Sequence, residues 1–166
     1  MIEGSKYAGQ IYMRFRRLQQ TGYSPCFAKC RTVNRYLTPD ENHNGDGRHV
    51  KYLKQKEYKA CDEVLWQELK NIVESNHRKA CYLENERILH ASFYSERLDF
   101  TGKAKTERES IRGVWHNKAL ATLAGNDVIC VDPDNGLIVP SAVGKPKENK
   151  YVMYDELADY YAQRRV

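Results

Sequence analysis

A chain of 166 residues is long enough to bury a core without disulfide staples, and it reads as one domain spanning 1–166. Its 41% apolar and 30% charged content, with the apolar residues in periodic groups, excludes wholesale disorder. The net charge of +5, from 27 basic against 22 acidic residues, permits a nucleotide or nucleic-acid partner without requiring one.

The five cysteines are an odd number, and there is no signal-peptide pattern and no apolar run near 18 residues. The expectation is a cytoplasmic protein with reduced thiols and no membrane association. Cys26 and Cys30 have metal-like spacing, but no second Cys or Cys/His pair at zinc-site spacing follows them. Twelve tyrosines are unusual; tyrosine at helix and sheet surfaces is most often an amphipathic core edge.

Ser5 can cap a first helix carrying Tyr7, Ile11, Phe15 and Leu18 on one stripe, closed by Gly22. A strand is predicted over about 31–38 around Val33, Tyr36 and Leu37. It runs into Thr38-Pro-Asp-Glu-Asn-His-Asn-Gly-Asp-Gly47, where Asp40, Glu41, Asp46 and Arg48 are candidate substrate-binding residues. Asp40-x-Asn42-x-Asn44-Gly45 matches the first half of a calcium loop, but Arg48 and Lys51 occupy the ninth and twelfth positions, where oxygen ligands are needed.

A helix starting near Asp62 places Cys61, Leu65, Leu69, Ile72 and Val73 on one face and stops at Ser75. A weaker helical stretch covers about 79–89, and 91–95 reads as a short strand. The next helix, about 105–124, directs Ile111, Trp115, Ala119, Thr122 and Leu123 inward, with Gly125 as its C′ residue.

Val128 to Val131 are three β-branched residues and a cysteine, the pattern of a strand covered on both faces of a parallel sheet. Pro133 lacks an N–H, so pairing should stop near Asp132. Asp132, Asp134 and Asn135 then project from a strand's carboxyl end, where open α/β sheets bind ligands, and they are the candidate catalytic residues. Asp132 and Asp134 are also candidate Mg2+ ligands, since that cation asks for one or two carboxylates plus water and substrate phosphate. The competing reading is a turn, because Asp-Pro and Asn-Gly are both turn dipeptides.

Residues 137–149 lack apolar periodicity and form a flexible basic loop in which Lys145 and Lys147 are candidate binders of an anionic substrate. A last helix, about 151–164, turns Met153, Leu157, Tyr160 and Tyr161 inward. Strands alternating with helices give an α/β fold, a three-layer Rossmann-like domain with a mostly parallel sheet and flanking helices. Two strands that both end in proline-acid loops would pool their carboxylates on one rim if they are parallel and close.

Val33-Asn-Arg-Tyr-Leu-Thr-Pro-Asp-Glu41, Asn44-Gly-Asp-Gly47, Lys51-Tyr-Leu53, Phe93-Tyr-Ser-Glu96, Val131-Asp-Pro-Asp-Asn-Gly-Leu137 and Lys150-Tyr-Val-Met-Tyr-Asp-Glu156 resemble a family of uncharacterised bacterial and phage proteins across nearly the whole chain. The plan is similar, more distantly, to the adenine-N6 methyltransferases of large-subunit ribosomal RNA, whose Asp-Pro-Pro-Tyr motif ends an apolar strand and holds the target amino group. Asp132-Pro133 matches that motif, while Asp134 and Asn135 replace the second proline and the aromatic residue. There is no Gly-x-Gly loop after the first strand.

The distant resemblance implies S-adenosylmethionine as cofactor and a nucleotide- or nucleic-acid-directed enzyme with an acidic pocket at strand ends. The family plan also implies a further strand after the last helix; a sheet lacking it exposes an edge, so a homodimer is expected. The Asp-x-Asp spacing keeps a Mg2+-dependent phosphohydrolase or nuclease as an alternative. A non-enzymatic accessory or binding protein is the third reading.

Overall fold

The computed structural model describes residues 31–39, 50–75, 91–126 and 128–163. They fall into two compact units, one containing 50–75 and the other 31–39 with 91–126 and 128–163. The helices expected near residues 5–22 and 79–89 lie outside the described residues.

In the first unit a short 3-10 helix, Lys51–Lys54, leads into α1, Lys56–Cys61, and then α2, Glu63–Glu74. The Asp62 side chain accepts from the Leu65 backbone N–H at 2.9 Å, satisfying one of the donors that every helix start leaves open. Leu65 and Leu69 are buried and Ile72 and Val73 half-buried, as the stripe predicted. Trp66 lies between two cations, with Lys59 Nζ 5.3 Å and Lys70 Nζ 5.4 Å from its ring centre.

The second unit is built on three parallel strands, β1 (Arg31–Asn34), β2 (Ser92–Tyr94) and β3 (Val128–Val131), in the order β2-β1-β3. Between β2 and β3 the chain forms α3, Lys105–Leu123, the crossover helix that two parallel strands need. This is an α/β arrangement with an all-parallel sheet.

Register sets the faces. Asn34 pairs with Tyr94 on one side and Val131 on the other, and Thr32 with Ser92 and Ile129. Tyr94, Ile129 and Val131 pack with Trp115, Ala119 and Leu123 of α3 and with Tyr160 and Leu157 of α4, Tyr154–Ala162. Val33 belongs to the opposite face and is also buried. Gly125, with φ +75°, follows α3 as the left-handed residue expected there.

Four expectations need correction. The first strand ends at Asn34 rather than near residue 38, because Tyr36 has φ +46°, a conformation no strand accommodates. Thr122 faces solvent, its hydroxyl donating to the Lys118 carbonyl one turn back. Tyr161 is exposed and Glu156 is buried in α4, because Glu156 has a buried cation to meet.

Residues 137–149, expected as a flexible loop, are tied to their neighbours at several points. Leu137 bridges Val152, Ala142 is fully buried, a 3-10 helix covers Pro146–Lys150, and the Asn149 amide donates to the Leu98 carbonyl at 3.0 Å.

Candidate functional site

The carboxyl ends of β1 and β3 form one rim. Beyond the last register pair, the Asp132 backbone N–H donates to the Asn34 carbonyl at 2.9 Å. Pro133 then ends pairing where its missing N–H requires. The chain leaving β1 crosses the same edge: Arg35 N–H donates to the Tyr94 carbonyl, and the Leu37 carbonyl accepts from Leu98 N–H at 2.7 Å. The Thr38 hydroxyl then donates to Asp134 Oδ2 at 3.4 Å. Thr38-Pro39 and Asp132-Pro133-Asp134, the two proline-terminated segments, therefore meet.

Asp132 is buried and Asp134 half-buried, while Asn135 is exposed. Asn135 N–H donates to the Lys150 carbonyl and Val152 N–H to the Gly136 carbonyl, so the Asn-Gly turn is clamped to the segment before α4. Gly136 has φ +80°, which a side chain rarely tolerates, and this explains glycine there. Lys145 and Lys147 are exposed on the neighbouring loop and 3-10 helix. Asp40, Glu41, Asp46 and Arg48 lie outside the described residues.

Beneath the rim is a buried polar network that periodicity did not reveal. Asn34, fully buried at the end of the central strand, donates from Nδ2 to the Tyr160 hydroxyl at 2.7 Å. Tyr36 donates its hydroxyl to Glu156 Oε2 at 3.0 Å. Arg112 of α3 grips the Glu156 carboxylate with two bonds of 2.8 Å and donates to the Glu148 and Tyr151 carbonyls. Glu156 also accepts from the Met153 N–H at the start of its own helix.

His116 Nε2 lies 2.9 Å from Asp159 Oδ2, and its Nδ1 faces the Tyr160 hydroxyl at 3.3 Å. A carboxylate only accepts, so Nε2 is the donor toward Asp159. Burial, with the Glu156 carboxylate beside it, holds the Tyr36 hydroxyl far above the usual phenol range; burial likewise raises Tyr160. Both stay protonated and neutral, and they serve as donors in a fixed frame.

The frame has a consequence for the rim. Tyr36 keeps a left-handed backbone although it is not glycine, a conformation that persists only when surrounding contacts over-determine it. Its hydroxyl bond to Glu156 and its edge contact with Trp115, centroids 4.7 Å apart, supply those contacts. The turn at Tyr36 carries Thr38 to Asp134.

Among the described residues no group of three or more His, Cys, Asp or Glu side chains is placed to hold a metal ion. Asp132 and Asp134 are two carboxylates, enough for a hydrated Mg2+ completed by substrate oxygens. Cys130, on β3, has its thiol pushed up to about 11 by burial and by Asp132, so it is a poor nucleophile. Among the described residues no helix is long and apolar enough to cross a membrane. No family model, curated protein or solved structure matches this chain.

Proposed function

We propose that the chain is a nucleotide- or nucleic-acid-directed enzyme with a three-layer, Rossmann-like, methyltransferase-like plan, its ligand held at the carboxyl ends of β1 and β3. The observation that carries the reading is the Thr38–Asp134 hydrogen bond across those two strand ends. The order β2-β1-β3 puts β1 at the centre with a parallel neighbour on each side, which supports a ligand at the strand carboxyl ends, where doubly wound sheets take nucleotide-like ligands.

Asp132, Asp134 and Asn135 bring two carboxylates and an amide to the end of β3, acceptors for ribose hydroxyls or for the amino group of a base. S-adenosylmethionine, when bound, supplies a methyl group; the chain's own residues bind and orient. Asn135 stands where the methyltransferase motif has an aromatic residue, so a flipped base would take its stacking partner from another position. A Mg2+-dependent phosphohydrolase or nuclease is the second reading, favoured by the two carboxylates at one strand end. Homodimer formation through a sheet edge belongs to the proposal as well.

Thermal shift with S-adenosylmethionine, S-adenosylhomocysteine, nucleoside triphosphates, Mg2+ and Mn2+ tests the site. A ligand at a hundred times its Kd stabilises by about 2.7 kcal/mol. Wild type should respond to one class and Asp134→Ala should not; Thr38→Val, which leaves the carboxylate in place, should respond weakly. Methyltransferase chemistry is selected by the adenosyl compounds, the second reading by metal with a nucleotide. Indifference of the wild type to every compound would overturn the enzyme proposal in favour of an accessory protein.

A further inference from the structure

The start of α3 and the 144–147 segment bring basic residues from two parts of the chain to one surface. Lys105 lies against Gly144, its Cε 3.5 Å and Nζ 3.9 Å from where a Cβ would stand. Arg108 donates to the Gly144 carbonyl and to the Lys103 carbonyl, both at 2.7 Å, fastening the two segments together. Lys145 follows directly, and Lys147 begins the next turn; both are exposed and neither has an ion-pair partner among the described residues.

Lys103 and Lys105 face Glu107 and Glu109 across 3.8 Å, but all four side chains are well exposed. Pairs of that kind hold weakly and give way to a phosphate. Tyr154, 62% exposed, follows the same segment. At its far end the segment reaches the rim, where the Lys150 carbonyl accepts from Asn135 N–H.

A row of cations with an exposed aromatic is the recipe for single-stranded nucleic acid: phosphates lie on the lysines and a base stacks on the ring. We propose that Lys103, Lys105, Lys145 and Lys147 track the phosphodiester backbone of a single strand, with Tyr154 offering a stacking surface, and deliver one nucleotide to the rim. This rests on the nucleic-acid reading above and narrows the substrate from a free nucleotide to a polymer. A single strand is favoured over an anionic membrane because the exposed Tyr154 ring offers a face on which a base can stack and Asp134 and Asn135 at the rim offer acceptors for a base amino group.

The test is fluorescence anisotropy of the full chain with a 5′-labelled single-stranded 20-mer, as DNA and as RNA, over a range of salt. Lys105→Ala/Lys145→Ala/Lys147→Ala is compared with Lys51→Ala/Lys54→Ala/Lys56→Ala, which removes the same charge from exposed positions in the other unit. Each lost phosphate contact flattens the log Kd against log salt slope by about 0.7 for single strands, so the first variant should lose roughly 2 in slope and about a hundredfold in affinity near 0.1 M salt. The second should bind like wild type.

Equal losses in the two variants, or no loss in the first, would overturn the track. So would displacement of the oligonucleotide by phosphatidylserine vesicles but not by unlabelled strand. The Asp134→Ala thermal-shift result separates the two ideas: oligonucleotide binding that survives when no small ligand is bound at the rim sustains the track and removes the rim reading.

Discussion

Replacing Glu156 is the sharpest perturbation of the frame under the rim. Its carboxylate accepts from Arg112 Nε and a terminal guanidinium nitrogen, both at 2.8 Å, from Tyr36 at 3.0 Å and from Met153 N–H at 2.9 Å. The Arg112 and Glu156 side chains are only 9% and 6% exposed. Removing one partner of such a pair strands a buried charge, a cost of about 3–5 kcal/mol, several times that of an exposed ion pair. Glu156→Ala should therefore lower the melting temperature by roughly 6–20 °C, at about 2–4 °C per kcal/mol for a chain of this size.

Glu156→Gln keeps the shape but turns an amide donor toward Arg112, and belongs at the lower end of that range. Arg112→Met/Glu156→Leu should recover part of the loss, since no charge is then stranded; the carbonyls of Glu148 and Tyr151 still lose their donor. Urea unfolding of wild type, Arg112→Met, Glu156→Leu and Arg112→Met/Glu156→Leu as a double-mutant cycle gives the coupling. The pair is shielded from solvent, so its contribution should persist between 0.05 and 1 M NaCl. A single-mutant cost below about 1 kcal/mol, or one abolished by salt, would refute the buried-pair reasoning.

Four further outcomes are expected. Tyr36→Phe, losing one hydroxyl bond to a carboxylate that keeps three donors, should cost about 1–2 kcal/mol in urea unfolding; Tyr36→Gly should cost more despite relieving the backbone, since it empties a buried aromatic position. Asp62→Ala should cost about 1 kcal/mol through loss of the α2 cap, read by helix content on heating. Cys130 has its pKa raised from 9.0 to about 11, so the folded form holds its proton longer. That stability, roughly 2–3 kcal/mol, is intact below pH 9 and lost as pH climbs toward 11; urea midpoints of Cys130→Ala should fall less steeply over that window than wild type.

Part of the rim is legible in the residues themselves. Val128–Val131 emerges as a strand because four apolar, mostly β-branched residues precede Asp132-Pro133, whereas β1 stops at Asn34, well before Pro39, and Asp40, Glu41 and Asp46, expected beside Asp134, lie outside the described residues. Asp62 and Gly125 mark helix ends through side-chain chemistry confined to a few residues. The frame is another matter, because Arg112 and Glu156 are 44 residues apart and hydropathy assigns both to solvent. One signal was present: Arg112 lies three residues before Trp115, and Glu156 four before Tyr160, so opposite charges occupy the buried stripes of two helices. The left-handed Tyr36 leaves only a faint local mark, the Asn34 side chain that accepts from its N–H, since its other contacts are tertiary, the hydroxyl on Glu156 and the ring on Trp115.

The most direct test of the rim is amide chemical-shift mapping of the labelled full chain on addition of whichever compound stabilises it. Resonances of residues 34–38 and 132–136 should move together and saturate with one Kd, and the same compound should leave Asp134→Ala unmoved. Shifts confined to residues 50–75, or an Asp134→Ala spectrum that responds like wild type, would contradict a ligand site at the ends of β1 and β3.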